Sequence, residues 1–178
     1  MSGTRDGQNE YERAFEGRLA EQCVRFARVD QSRRCRFGRD TLKTFDYLIY
    51  SRQGGCVLVE LKGRIFRGAS LAGRTGLQTW VFADDVAALA RWQRQFEIEC
   101  PQACGIFVFA YRIDQIAADC DGLEVYEVDG RRYVFLAIER RAYQSCMRPR
   151  SPRWKTVSCP AGDFRSLCFP VERLWLGD

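Results

Sequence analysis

Three charged side chains, Asp46 in "TFDYLIYS" and Glu60 and Lys62 in "CVLVELKGR", interrupt otherwise apolar runs. Carboxylate oxygens a few ångströms apart repel one another unless a cation lies between them. A hard divalent ion such as Mg²⁺, or Mn²⁺ in its place, prefers that oxygen set. Such an ion lowers the pKa of a bound water and polarises a phosphodiester. A lysine two residues beyond the glutamate is a compact point charge, suited to orienting the attacking water or offsetting charge on the phosphate. Glu12 and Glu16, four apart in "YERAFE", project together and are placed to complete the shell directly or through water. The competing explanation is an exposed ion pair at a strand end, worth about 0–1 kcal/mol.

Those side chains need elements to hold them. Residues 9–27 carry Tyr11, Phe15, Leu19, Ala20 and Cys23 at helical spacing, with Asn9 as N-cap, and a short strand is expected over 24–29. Residues 44–51 and 56–62 predict a hairpin around "RQGG". A three- or five-residue connection, or a bulge, sets Asp46 opposite Glu60 or Lys62, whereas a two-residue Gly54-Gly55 turn misaligns them by one. A loop over 63–79 leads to a helix in "ADDVAALARWQRQFEIE" with Asp84 as N-cap. "GIFVFAYRI", 105–113, reads as a central strand buried on both faces. "LEVYEV-DG-RRYVFLAI" is a hairpin turning on Asp129-Gly130. The stretch after Glu139 reads as basic and irregular, and 163–176 as a closing segment that packs back. This order predicts one domain over 1–178, of α/β (α+β) class around a mixed sheet, with a core at about 9–112 and a C-terminal hairpin and basic extension at about 123–178.

Composition narrows the chemistry. The chain has no histidine, which removes Ser-His-Asp and Cys-His nucleophiles, histidine-bound zinc and every imidazole base. The nine cysteines contain no C-x-x-C pair, and "CPQAC" has no partner pair at zinc-site spacing, so they read as small hydrophobes. Cations outnumber anions 28 to 23, and all but Lys43, Lys62 and Lys155 are arginine, a bias that suits phosphate-bearing partners. Arg64 and Arg67, just past Lys62, read as loop residues able to meet a phosphate. "MRPRSPRWKTV" interleaves Arg148, Arg150, Arg153 and Lys155 with Trp154, a pattern for phosphate contact and base stacking or for a solvated loop. No apolar run is long enough to span a bilayer and the start is polar, so a cytoplasmic protein with no membrane partner is expected.

In the order "YERAFE", "FDYLIYS", "LVELKGR", "DDVAALARWQRQF" and "FVFAYR", the chain resembles the PD-(D/E)xK nuclease superfamily, especially its resolvase- and restriction-like members. "EYERAFE" is similar to the signature of a bacterial family named for H-Y-E-x-A-F-E. The resemblance implies a restriction-endonuclease-like αβββαβ core and Mg²⁺-dependent cleavage of nucleic acid, DNA in preference to RNA. It puts the catalytic roles on Asp46, Glu60 and Lys62, the helix acid on Glu16 with Glu12 second, and a metal-ligating carbonyl on Leu61. It also allows a homodimer. Phe45 stands where the superfamily has proline, and Glu10 where the narrower family has histidine. Members that lose activity persist as binding modules, so a silent nucleic-acid-binding module or a protein-interaction domain are the alternatives.

Overall fold

A computed structural model describes residues 9–30, 35–37, 40–50, 54–114 and 118–176, without the side chains of 35–37 and 40–42. The expected polar start over 1–8 and the first half of the "RQGG" turn lie outside the described residues. In chain order the elements are α1 (Glu10–Glu21), β1 (Arg25–Arg28), β2 (Cys35–Phe37), β3 (Asp40–Leu42), β4 (Tyr47–Tyr50), β5 (Cys56–Phe66) and β6 (Trp80–Phe82). There follow α2 (Ala83–Glu97), β7 (Cys104–Ile113), β8 (Tyr126–Val128), β9 (Arg131–Glu139), α3 (Arg140–Cys146), β10 (Arg148–Ser151), β11 (Thr156–Ser158), α4 (Ala161–Leu167), β12 (Phe169–Pro170) and α5 (Arg173–Leu176).

The period of two along β5 builds two cores at once. Leu58 and Phe66 face Val86 and Leu89 of α2, Tyr143 of α3 and Phe164 of α4. Val57 and Val59 face Phe15 and Leu19 of α1 together with Tyr47, Ile49 and Trp175. A mixed, mostly antiparallel sheet therefore lies between α1 and α5 on one side and α2, α3 and α4 on the other, an α+β arrangement. Its order is β1-β4-β5-β7-β9-β12, with β8 also on β9. Among the described residues only the β5–β7 pair in this sheet is parallel, and α2 supplies the crossover that a parallel pair needs. β7 is buried from Gly105 to Tyr111, as expected for a strand covered on both faces.

Several boundaries differ from the sequence expectation. α1 stops at Glu21 because Cys23 takes a left-handed φ of 53°, which ends the helix six residues early. β5 runs to Phe66, so Gly63 and Arg64 are strand residues and not loop. Asn9 does cap α1, accepting from the Tyr11 and Glu12 amides. Asp84 does not cap α2: the N-cap is Phe82, and Asp85 sits at the third helical position. The stretch after Glu139 is ordered as α3, β10 and β11, the last pairing with β6 to make a small second sheet. At the β8–β9 turn Asp129 and Gly130 both have positive φ, 51° and 68°, the geometry that a two-residue hairpin of this twist requires.

Candidate active site

β4 pairs with β5 from Tyr50 opposite Cys56 to Tyr47 opposite Val59, so residues 51–55 form the connection. This is the five-residue case, and its register carries Asp46 to the level of Glu60. The chain then leaves the ladder: the Asp46 amide donates to Val59 O at 2.9 Å, the residue already paired with Tyr47. Phe45, packed edge-on against Trp92 and Phe96 of α2, anchors the bend. With β4 ended, the Asp46 carboxylate occupies the strand's place and accepts the Leu61 amide at 2.7 Å. Burial first, and then Glu60, push its carboxyl up to about 7, while the Leu61 amide and Lys62 pull the other way.

Glu60 and Lys62 follow Leu58 on the α2 side of β5. Lys62 Nζ donates to Glu60 Oε1 at 2.7 Å and to Asp85 Oδ2 at 2.5 Å. Lys43 joins the cluster, bonded to Asp85 Oδ1 and 3.6 Å from Glu60 Oε1, and Trp92 Nε1 holds the Lys43 carbonyl at 2.9 Å. Glu60 and Asp85 are 5% and 2% exposed, so these charges sit largely outside water. Burial raises the Glu60 carboxyl, with Lys62 opposing and Asp85 adding to the rise. Burial also pushes Asp85 upward, but the ammonium of Lys62 and that of Lys43 outweigh it and hold Asp85 below its ordinary value. Three carboxylates thus meet two ammonium groups.

Asp85 and Lys43 escaped sequence reasoning. Asp85 lies in a helix-opening "DD" that reads as capping, and its amide-capping contact, from Phe82 N–H at 3.4 Å, is the lesser of its roles. Lysine scarcity was the usable signal: two of three lysines in an arginine-rich chain converge on one carboxylate.

The helix acids lie on the other face of the sheet. Glu16 accepts the Tyr47 hydroxyl at 3.2 Å and has Arg28 at 3.9 Å, and Glu12 takes Arg28 at 2.6 Å and Asn9 Nδ2 at 3.0 Å. Asp46, in the plane of the sheet, feels both sides, since Glu12 also raises its carboxyl. Asp46, Glu60 and Lys62 are therefore brought together and Leu61 stands between them with its amide engaged, whereas Glu12 touches the group only through the field at Asp46 and Glu16 stays with Tyr47 and Arg28. Glu10 pairs instead with Arg112 and Arg131 at the far end of β7 and β9.

Arg64 is buried, contrary to the loop expectation, with its guanidinium 4.0 Å over the Trp80 ring and bonds to the Gly63 and Trp80 carbonyls. Arg67 is exposed. Arg148, Arg150, Arg153, Trp154 and Lys155 all lie exposed on the β10–β11 hairpin. β11 pairs with β6, and the Lys155 carbonyl accepts the Ala83 amide at 2.8 Å, two residues before Asp85. The basic hairpin therefore borders the carboxylate–lysine cluster.

Among the described residues no three acidic or thiol side chains form a metal-holding group. Mg²⁺ does not need three: it commonly takes one or two carboxylates and keeps water or substrate oxygens for the rest. Asp46 and Glu60, two hard donors each raised by burial and by neighbouring negative charge, have the chemistry to take such an ion. No helix among the described residues is long and apolar enough to cross a membrane. The chain matches no protein-family model and no curated protein.

Proposed function

We propose that the protein is a metal-dependent nuclease that hydrolyses phosphodiester bonds of nucleic acid, DNA in preference to RNA, on a restriction-endonuclease-like core. The observation that carries this is the convergence of Asp46, Glu60 and Lys62 where β4 ends and β5 continues. The order α1, three antiparallel strands β1, β4 and β5, then α2 and the parallel strand β7, supports the αβββαβ arrangement that the superfamily resemblance implies.

Asp46 and Glu60, with Leu61 O, would hold Mg²⁺. When bound, that ion supplies polarisation of the phosphodiester and a more acidic water. Lys62, held between Glu60 and Asp85, offers an ammonium proton to the water or to a phosphate oxygen. Lys43 keeps Asp85 charged, so Asp85 acts as a positioning residue for Lys62. Glu12 adds negative potential from behind Asp46.

Purified protein is expected to cut DNA or RNA only with Mg²⁺ or Mn²⁺. Asp46→Asn and Lys62→Ala should each lower the rate by at least about 100-fold, comparable to the loss of one transition-state donor. Cutting that survives both substitutions would overturn the assignment. A second reading, a silent binding module, is favoured by one feature: Glu60 and Asp85 already have ammonium partners without any metal. Salt-sensitive binding with no cutting would select it.

A further inference from the structure

We propose that the β10–β11 hairpin is a platform for unpaired nucleotides, so that the strand delivered to the carboxylate–lysine cluster is single-stranded. This rests on the nuclease reading for the site that it serves. Trp154 is 63% exposed at the hairpin turn, an unusual place for the largest apolar ring. Arg153 lies 5.3 Å over that ring, and Arg148, Arg150 and Lys155 are exposed on the same short hairpin. The turn is built to hold the ring outward: the Trp154 amide donates to Ser151 Oγ at 3.4 Å and the Lys155 amide to Pro152 O at 3.2 Å. The register shifts between Pro149 and Ser151, which re-aims Arg150, whose guanidinium reaches 5.4 Å over the Trp80 ring.

Two physical arguments choose the occupant. An indole face can stack on a base only where that base has left a duplex, whereas flanking cations meet the phosphates of either form. A protein strand adding to β10 is disfavoured, because Pro149 lacks a ladder donor and Pro152 stiffens the turn. Charge complementarity and the exposed ring together fit a single strand. The tie from the Lys155 carbonyl to Ala83 directs that strand to the start of α2 and hence to Lys62.

The test is fluorescence-anisotropy titration of the full chain in EDTA, with a labelled short oligonucleotide as single strand and as duplex, in DNA and RNA forms. The single strand should bind at least about tenfold tighter than the duplex. Trp154→Ala should weaken it about tenfold with an unchanged salt slope, and Trp154→Phe should restore most of the loss. Arg150→Ala and Arg153→Ala should each reduce the salt slope by about one. Duplex binding as tight as single-strand binding, or indifference to Trp154→Ala, would overturn the platform. Because no metal is present, intact single-strand binding by a protein that never cuts would overturn the nuclease reading alone.

A different observation carries a second inference. Cys146 Sγ and Cys159 Sγ stand 2.7 Å apart, at the end of α3 and just after β11. Residues 147–158 between them are the basic hairpin, so we infer that the two thiols form a reversible disulfide clasp at its base. The oxidant is a small-molecule disulfide. The half-buried Cys146, as thiolate, attacks it and releases one thiol, and Cys159, whose thiol burial and then Cys146 push up, gives its proton to the departing sulfur as it attacks the Cys146 sulfur and expels the second thiol. Two protein thiols are oxidised, one small disulfide is reduced, and the two protons leave on the released thiols. Peptide mapping after treatment with oxidised glutathione should find the 146–159 link, with a higher melting temperature that a reductant reverses and Cys146→Ser lacks. Mixed disulfides without that link, or no oxidation at either position, would overturn it.

Discussion

Ionising Asp46 in the folded chain sets a second negative charge beside Glu60 where burial has removed most of the water. The unfolded carboxyl titrates at its ordinary value of 3.8 and the folded one at about 7, so the native state binds the extra proton between those values. Stability then falls as the pH rises through that interval. Asp46→Asn keeps an oxygen for the Leu61 amide but cannot ionise. In metal-free buffer it should match the parent at pH 4 and exceed it by about 1–3 kcal/mol at pH 8, an order-of-magnitude figure. Urea unfolding at both pH values checks this, and a less stable variant at pH 8 would contradict it. The same residue shows how far local pattern reaches. Asp46, Glu60 and Lys62 stood out as charges breaking apolar strands, but the partner that locks Lys62 is Asp85, 23 residues away on another layer.

At the scale of elements, the end of β5 is where helix and strand must meet closely. A Cβ on Gly63 would run into the ring of Tyr11, so α1 rests directly on the strand at the residue after Lys62. Gly63→Ala should cost about 1–3 kcal/mol, as overpacking does, and should also shift Lys62 and lower any cutting rate. Chemical unfolding and the nuclease assay read the two effects separately, and a neutral variant would show that Tyr11 can yield. The strands β1, β4, β5, β7, β8 and β9 and both long helices were legible because their apolar periods are local. The basic segment after Glu139 was not: its prolines and arginines read as loop, yet β11 gains its ladder from β6, which lies about 75 residues earlier in sequence and whose pairing no local pattern announces.

Across the whole molecule, the first helix and the last segment are joined by a buried ion pair. Arg18 donates to Glu172 Oε1 through Nε at 3.1 Å and Nη2 at 3.0 Å, beside Val171 and Trp175 of the α1-side core. Arg18 keeps its bond to Glu21 Oε2 at 2.7 Å, but Nε and Nη2 lose their acceptor, so Glu172→Ala should destabilise the chain by about 1–3 kcal/mol. Thermal melts test it, with Arg18→Met/Glu172→Leu as the control. That double variant should recover most of the loss, because apolar replacements need no counter-ion.

What the sequence determined by itself follows from short-range physics: the periods of two and 3.6, the Asn9 cap, the Asp129-Gly130 turn, the loss of all imidazole chemistry and the acids that interrupt two apolar runs. What tertiary structure decided is which charges neutralise one another. Layer stacking placed Asp85 and Lys43 beside Glu60, sent Glu12 and Glu16 to the opposite face, and buried Arg64 against Trp80. A charge's partner depends on distance in space, and the packing of two cores around one sheet sets that distance.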